Sequence, residues 1–185
     1  MPTQAELQQL VDKNAIREVI ETYGRSSDRW DEELFRSMFW DDAIYDHGTF
    51  VGPASDLMHH SLPIVNATIE STYHTIGNIM IGLDGDIANT ESYLLAVHVL
   101  KAREDQPAQL DVLACRLIDR FERRHGEWRI ARRVMVRDWR HRTDLLDPLN
   151  VDAYKRGTPD SSDWVYRLKA AERVQPLTPP DGQPS

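Results

Sequence analysis

The sequence predicts a single α+β domain in which helices come first and a sheet of long antiparallel strands follows. Three observations lead to this prediction. Three segments within about the first 70 residues have the pattern of helices, strand-like runs follow from residue 73 onward, and short polar turns separate those runs. Helices followed by consecutive strands are typical of domains whose helices cover one side of an antiparallel sheet. A chain of 185 residues suits one well-buried core.

The first helix is predicted to run from the capping-box spacing of Thr3 and Glu6 to about Arg25. Apolar residues recur along it at helical intervals, at Leu7, Leu10, Val11, Ile16, Val19, Ile20 and Tyr23. A second, short helix is predicted from about Asp31 to Trp40, because its large apolar side chains would lie on one side. We expect both helices to form a wall over the sheet.

A short hairpin is predicted for residues 43–51, with His47-Gly48 as its turn. Gly52-Pro53 then begins a third helix that runs to about Glu70. Pro63 falls inside this helix. We expect it to kink or divide the helix, because proline lacks a backbone donor and clashes with the preceding turn.

Four long strands are predicted at residues 73–83, 87–101, 110–123 and 128–139, and they form an antiparallel meander. Beyond residue 140 the chain is rich in Asp, Pro and Gly, with a short helix predicted around residues 164–174. Residues 176–185 have the composition of a disordered tail. We therefore divide the chain into a domain at residues 1–140 and a C-terminal extension at residues 141–185.

Composition excludes several classes of function. A net charge of −8 opposes binding to nucleic acid, and no apolar run approaches the length of a membrane span. The polar N-terminus lacks the pattern of a secretory signal, so a cytoplasmic location is the expectation. The single cysteine, Cys115, lies in an apolar run and is predicted to be a packed core thiol.

Asp28 and His74 are the residues from which we expect chemistry. Asp28 follows the first helix, and His74 begins the first long strand. A carboxylate that accepts a hydrogen bond from one imidazole nitrogen fixes the tautomer, and the other nitrogen is then a general base usable near neutral pH. The alternative is that Asp28 caps a helix and His74 is an ordinary strand residue.

Several short motifs follow one another along the chain, namely Tyr23, Asp28, Phe39-Trp40-Asp41-Asp42-Ala43, Gly52-Pro53, His74 with Asn78, and the segment from Phe121 to Ile130. Their order and spacing together resemble the SnoaL-like branch of the nuclear transport factor 2-like superfamily over about residues 5–140. The resemblance implies a cone-shaped, cystatin-like α+β barrel, with a curved antiparallel or mixed sheet and N-terminal helices packed over its concave face. It also implies a homo-oligomer, a trimer by resemblance, with a dimer left open.

The resemblance also implies roles for individual residues. Lyases of this branch remove a proton with an Asp–His pair, and the matching residues here are Asp28 and His74. Tyr23 matches a position that holds or protonates a substrate oxygen, and Arg133 matches a pocket arginine that stabilises developing negative charge. Simpler alternatives are that Tyr23 closes the apolar face of its helix and that Arg133 lies on the surface. Further predicted substrate contacts are Tyr45, His98, Trp40 and Asn78.

The predicted function is that of a cofactor-independent lyase acting on a hydrophobic small molecule. The reaction is a dehydratase-type elimination or a related C–C cleavage such as formaldehyde release from an aromatic diol. Two alternatives stay open: an isomerase or cyclase of the ketosteroid isomerase or polyketide cyclase type, and a ligand-binding module without catalysis. No cofactor and no metal are expected, since glycine-rich phosphate loops are absent and His47, His59 and His60 lack the spacing of metal ligands.

Overall fold

The computed structural model describes residues 1–145, 155, 157–160 and 162–167. Four helices and six strands follow one another along this part of the chain, with a single 3₁₀ turn at Ala54–Asp56. The helices are α1 (Gln4–Asp28), α2 (Glu32–Ser37), α3 (Leu57–Thr68) and α4 (Trp164–Arg167). The strands are β1 (Phe39–Asp46), β2 (Val51–Pro53), β3 (Ile69–Asp84), β4 (Ile87–Leu100), β5 (Gln109–Arg124) and β6 (Glu127–Asp144).

The six strands form one curved, unclosed sheet in the order β2-β1-β6-β5-β4-β3. Strands β3 to β6 are the predicted antiparallel meander, and β1 and β2 are the predicted hairpin. Strand β1 lies parallel to β6, so the sheet is mixed. The predicted α+β fold class is therefore confirmed, and the helices lie over one side of the sheet.

The core lies between the helices and the inner face of the sheet. Ile16 and Ile20 of α1 are fully buried, as are Leu117 and Phe121 of β5 and Ile130 of β6. Burial alternates along β4 and β5 because successive side chains of a strand point to opposite faces. The predicted core thiol, Cys115, is buried on the inner face, and this burial raises the pKa of the thiol.

The α1 helix is longer than predicted and ends at Asp28 rather than near Arg25. Its last turn closes with backbone hydrogen bonds from Trp30 N to Ser27 O and from Asp31 N to Ser26 O. This is the Schellman arrangement, in which the residue just beyond the helix takes a left-handed conformation. Glycine usually fills that position, but here it is Trp30, with φ of 51°. Asp28 is thereby held in the final turn of α1.

The α2 helix is shorter than predicted, since Phe39 and Trp40 belong to β1. Ile130 N donates to Met38 O at 2.9 Å, so strand pairing with β6 takes over where the helix stops. The third helix begins at Leu57 instead of Gly52-Pro53, because those two residues pair with β1 as part of β2.

Pro63 does not divide α3, which runs unbroken from Leu57 to Thr68. The prediction of a divided helix is wrong for a physical reason. The carbonyl left without a donor is that of His59, and both His59 and Pro63 are exposed, so water can take the place of the missing backbone donor.

Beyond β6, described residues of the C-terminal extension pack against the junction of α1 and α2. Arg29 Nε lies 3.2 Å from Asp163 Oδ2, and Tyr166 OH donates to Asp31 Oδ2 at 3.0 Å. Strand β6 continues to Asp144, past the boundary predicted at residue 140. The predicted helix at 164–174 begins as α4, while its remainder and the predicted tail at 176–185 lie outside the described residues. Among the helices of the described part, none has the length and apolar character needed to span a membrane.

Helix α1 approaches β3 at Gly24 closely enough to exclude a larger residue. A Cβ atom built on Gly24 would lie 2.9 Å from the backbone oxygen of His74. A backbone oxygen in a paired strand cannot move aside as a flexible side chain can. The glycine therefore sets the distance between the helix that carries Asp28 and the strand that carries His74.

Gly24→Ala is expected to destabilise the protein by about 1–3 kcal/mol, the usual cost of overpacking a well-packed site. Without the close contact, replacing glycine by alanine in a helix interior would stabilise the protein by about 1 kcal/mol. The sign of the change in unfolding free energy therefore distinguishes steric overlap from helix propensity. The measurement is the free energy of unfolding in urea. Gly82→Ala in β3 is the matched control, because its nearest neighbour would be 3.7 Å away. An increase in stability for Gly24→Ala would contradict the close-approach account.

Candidate functional site

Asp28 and His74 meet between the end of α1 and the start of β3. Asp28 Oδ1 lies 2.6 Å from His74 Nδ1, and the side chains are 10% and 11% exposed. The two residues are 46 positions apart in the chain, and their contact depends on the packing of α1 against β3. The carboxylate and the imidazole are therefore within hydrogen-bond distance, at a site that is nearly closed to solvent.

Asp28 accepts two further hydrogen bonds from β3. Thr72 Oγ1 donates to Asp28 Oδ1 at 2.8 Å, and the backbone N–H of His74 donates to Oδ2 at 3.1 Å. An ionised carboxylate only accepts hydrogen bonds, so a neutral imidazole paired with one carries its proton on Nδ1 and offers Nε2 as an acceptor. Thr72 was not among the functional residues predicted from the sequence. The available signal was its position two residues before His74, which places both side chains on one face of β3.

A cavity of about 250 Å³ lies beside this pair. Its aromatic and aliphatic wall comes from Tyr23, Trp30, Phe35, Phe50, Leu57, Met58, Ile64, Val65 and Ile69. Its polar wall comes from Ser27, His47, Thr49, His60, Ser61, Thr72, His74 and His98. Lys, Arg, Asp and Glu are absent from the described lining. The cavity is thus a mostly apolar space with an imidazole at His74.

Tyr23 and Tyr45 lie side by side next to the cavity. The Tyr23 ring meets the His74 ring edge-on, with 5.8 Å between centroids, and the Tyr45 hydroxyl donates to the Tyr23 hydroxyl at 3.4 Å. Tyr23 lines the cavity, whereas Tyr45 is fully buried behind it. Burial raises the pKa of Tyr45 well above its ordinary value, with the neighbouring Tyr23 acting in the same direction. Tyr45 is therefore a neutral donor that orients Tyr23.

Arg133 is a core residue rather than a surface residue, and it does not line the cavity. Its Nε and one terminal nitrogen donate to the two oxygens of Asp119 at 2.7 Å each, and both side chains are fully buried. Burial alone would lower the pKa of the guanidinium, but the pairing with Asp119 more than offsets this and raises the pKa above its ordinary value. The guanidinium lies 4.9 Å from the centre of the Tyr23 ring. It reaches the cavity only through that ring.

His98 and His47 also face the cavity, from β4 and from the turn after β1. The rings of His98 and His74 lie 5.7 Å apart. Burial lowers the pKa of His98 to about 4, and the nearby His74 acts in the same direction. Burial likewise lowers the pKa of His47 to about 4. His47 had been considered only as a metal ligand in sequence analysis, because its turn position carries no sign that it faces a cavity.

The structure places Trp40 and Asn78 away from this cavity, so the prediction that they contact substrate is not retained. The Trp40 indole donates to the backbone oxygen of Glu122 at 3.0 Å and lies between the guanidiniums of Arg124 and Arg129. Trp40 was expected on a helix but belongs to β1, where it is partly buried against the core. Asn78 is exposed, at an irregularity of the β3–β4 register.

Other parts of the molecule offer less for chemistry. No group of three or more His, Cys, Asp or Glu side chains within the described residues is placed to hold a metal ion. A wider, open groove of about 770 Å³ runs along α1 beside the β5–β6 turn. Most of its charged residues are engaged with one another, as in the contact of Arg123 with Asp12 at 3.2 Å. The Asp28–His74 cavity is therefore the candidate active site.

Comparisons with solved structures agree with the fold. A hexachlorocyclohexane dehydrochlorinase, LinA type 2, matches with a TM-score of 0.68 and 19% identity over 78% of this chain and 99% of its own. A scytalone dehydratase candidate of Novosphingobium aromaticivorans matches with a TM-score of 0.61 and 22% identity over 76% and 91%. A cystatin-like protein of Nostoc punctiforme matches with a TM-score of 0.56 and 22% identity over 69% and 92%.

A search of curated proteins finds no match to this chain. At the identities above, the solved structures establish the fold and not the reaction. The family comparison also establishes the family, because the model of the SnoaL-like domain matches residues 8–134. That range contains α1 from Gln8 onward, the whole Asp28–His74 contact and β6 as far as Val134, the residue after the buried Arg133. The chain therefore belongs to the SnoaL-like domain family.

Proposed function

We propose that the protein is a cofactor-independent lyase in which His74, oriented by Asp28, removes a proton from a hydrophobic small molecule. The observation that carries this proposal is the 2.6 Å contact between Asp28 Oδ1 and His74 Nδ1 at the wall of a mostly apolar cavity. A merely structural pair would not require an imidazole that faces a cavity. Two relatives by fold bear the names of a dehydrochlorinase and a dehydratase, which is consistent with elimination chemistry.

The proton transfer follows from the tautomer. With Nδ1–H donated to Asp28, the lone pair of Nε2 is available to take a proton from a carbon or hydroxyl of the substrate. As the imidazole becomes positively charged, the adjacent carboxylate stabilises it. Thr72 and the backbone N–H of His74 hold that carboxylate in place, so little reorganisation accompanies the transfer. Asp28 thus acts as a positioning residue and His74 as the base.

Tyr23 is proposed to assist the departing group. In an elimination, the electrons of the C–H bond form the new double bond while the bond to the leaving group breaks, and a departing hydroxyl needs a proton or a hydrogen bond. Tyr23 lines the cavity, and its ring is in contact with that of His74. The guanidinium of Arg133 lies 4.9 Å from the centre of the Tyr23 ring and is proposed to stabilise negative charge that develops on the leaving group, acting through that ring. His98 is proposed to contact the substrate directly. Tyr45 is proposed to act indirectly, by holding the Tyr23 side chain that contacts the substrate.

The dyad can be tested with a panel of hydroxylated and arylpropane substrates. His74→Ala is expected to lower the rate by about 10²–10⁴-fold, the usual contribution of a general base, and Asp28→Asn by a comparable amount because the tautomer is lost. Release of water, halide or formaldehyde identifies a lyase, whereas a product of unchanged mass identifies an isomerase. Turnover that survives His74→Ala would rule out the proposed base.

A pair of threonines on β3 provides a matched control. Thr72→Val removes one hydrogen bond to the Asp28 carboxylate at nearly constant volume and is expected to lower kcat by about 10-fold. Thr75→Val changes the same residue type on the opposite, exposed face of the strand and is expected to leave kcat unchanged. Equal rates for the two variants would contradict a positioning role for Thr72.

The outer face of the sheet supports the further proposal that copies of the chain associate, as a trimer or a dimer. Leu95 and Trp139 lie in one cross-strand row on either side of Ala114, and both are exposed. Other exposed apolar side chains of β3, β4 and β5 are Tyr73, Met80, Tyr93 and Ile118. Exposed apolar side chains gathered on one face of a sheet are typical of protein–protein contacts. A neighbouring copy would bury them.

Leu95→Lys combined with Trp139→Lys is expected to reduce the mass of the particle to that of one chain, because two ammonium groups would have to be buried in the contact. Light scattering coupled to gel filtration measures the mass. Leu10→Lys on α1, which is exposed to a similar extent, is the control and should leave the mass unchanged. A wild-type monomer at micromolar concentration would refute the proposal.

A further inference from the structure

His47 occupies the cavity wall through the geometry of the β1–β2 turn. Its backbone N–H donates to Phe50 O at 2.8 Å and closes the turn. Gly48 follows with φ of 87°, a conformation open to glycine, and the Gly48 N–H donates to Asp46 Oδ1 at 3.0 Å. The His47 ring rests edge-on against Tyr45, with 5.6 Å between centroids. The turn therefore directs the imidazole into the cavity from a different element than β3 or β4.

The ring nitrogens of His47 have no hydrogen-bond partner among the described residues, in contrast to Nδ1 of His74. A packing role against Tyr45 would be served as well by an apolar ring. An imidazole adds to the mostly apolar wall a donor and an acceptor that a ligand can use. The imidazole is thus placed to pair with a polar atom of whatever occupies the cavity.

The charge state of His47 restricts the kind of polar atom. Burial lowers the pKa of His47 to about 4, and Arg137 and His74 act in the same direction, so the ring is uncharged near neutral pH. A neutral imidazole offers one donor and one acceptor, which suits a hydroxyl or a carbonyl. The described lining has no cationic side chain to compensate a carboxylate. The volume of about 250 Å³ lies below the range of about 300–1,000 Å³ common for drug-sized ligands.

We infer that His47 is a substrate-positioning residue that hydrogen-bonds a hydroxyl or carbonyl oxygen of an uncharged substrate of one or two rings. Held at that oxygen, the substrate would present a particular carbon to His74, which approaches from β3. The inference rests on the proposed function, since it names the substrate class of the same cavity. It adds a second anchoring point, on the turn after β1, to the Asp28–His74 pair.

The test compares two probes that differ by one hydroxyl group, 2-naphthol and naphthalene. Their dissociation constants are measured by calorimetry for the wild type, His47→Phe, His47→Gln and the control His59→Phe, in which an exposed histidine of α3 is replaced. The wild type and His59→Phe are expected to prefer 2-naphthol by about 5–10-fold, the value of one hydrogen bond. His47→Phe is expected to lose that preference. His47→Gln, which keeps a donor and an acceptor, is expected to retain part of it.

Three results would overturn the inference. They are an unchanged preference in a folded His47→Phe, an equal loss in His59→Phe, and a wild type that does not distinguish the two probes. If His47→Phe does not fold, the decision rests on His47→Gln. A preference of this variant for 2-naphthol that is smaller than that of the wild type but still present supports the inference, and any other result refutes it. Binding requires no turnover, so these outcomes are independent of whether His74 proves to be a base.

Discussion

The carboxylate of Asp28 joins the last turn of α1 to the first part of β3, and the site depends on that junction. Three donors from β3 converge on it, namely the Thr72 hydroxyl, the His74 backbone N–H and His74 Nδ1. The contact forms only because Gly24 lets α1 lie close to the strand. A buried carboxylate without such partners would cost several kcal/mol, so stability and orientation of the imidazole come from the same set of hydrogen bonds.

The junction is held from its other side by the helix end and the C-terminal extension. Trp30 adopts a left-handed conformation that ends α1, and the Trp30 side chain then forms part of the cavity wall. Asp163 and Tyr166 of the extension bind Arg29 and Asp31, the residues on either side of Trp30. The unfavourable φ of Trp30 is therefore stabilised by contacts of both neighbouring residues with the extension. Residues outside the matched family range thus contribute to the position of Asp28.

Local signals explain what could be predicted from the sequence. The Thr3–Glu6 capping box is present with both of its hydrogen bonds, and the meander follows from strand runs divided by turns. The helix end at Asp28 was missed because Trp30 takes a position where glycine is the usual signal. Trp40 was misplaced because the change from helix to strand at Phe39 depends on pairing with β6. The place of His47 depends on the geometry of its turn, which local patterns do not encode, whereas the place of Thr72 follows from strand alternation once His74 is taken as the base.

The central claim is that Asp28 fixes His74 as the tautomer with the proton on Nδ1, so that Nε2 faces the cavity as a base. Nitrogen-15 NMR of the imidazole in protein labelled at histidine measures this directly, with His74→Gln used to assign the signal. We expect the neutral His74 ring to carry its proton on Nδ1 in the wild type and to lose that preference in Asp28→Asn. A neutral His74 ring protonated on Nε2 in the wild type would contradict the account.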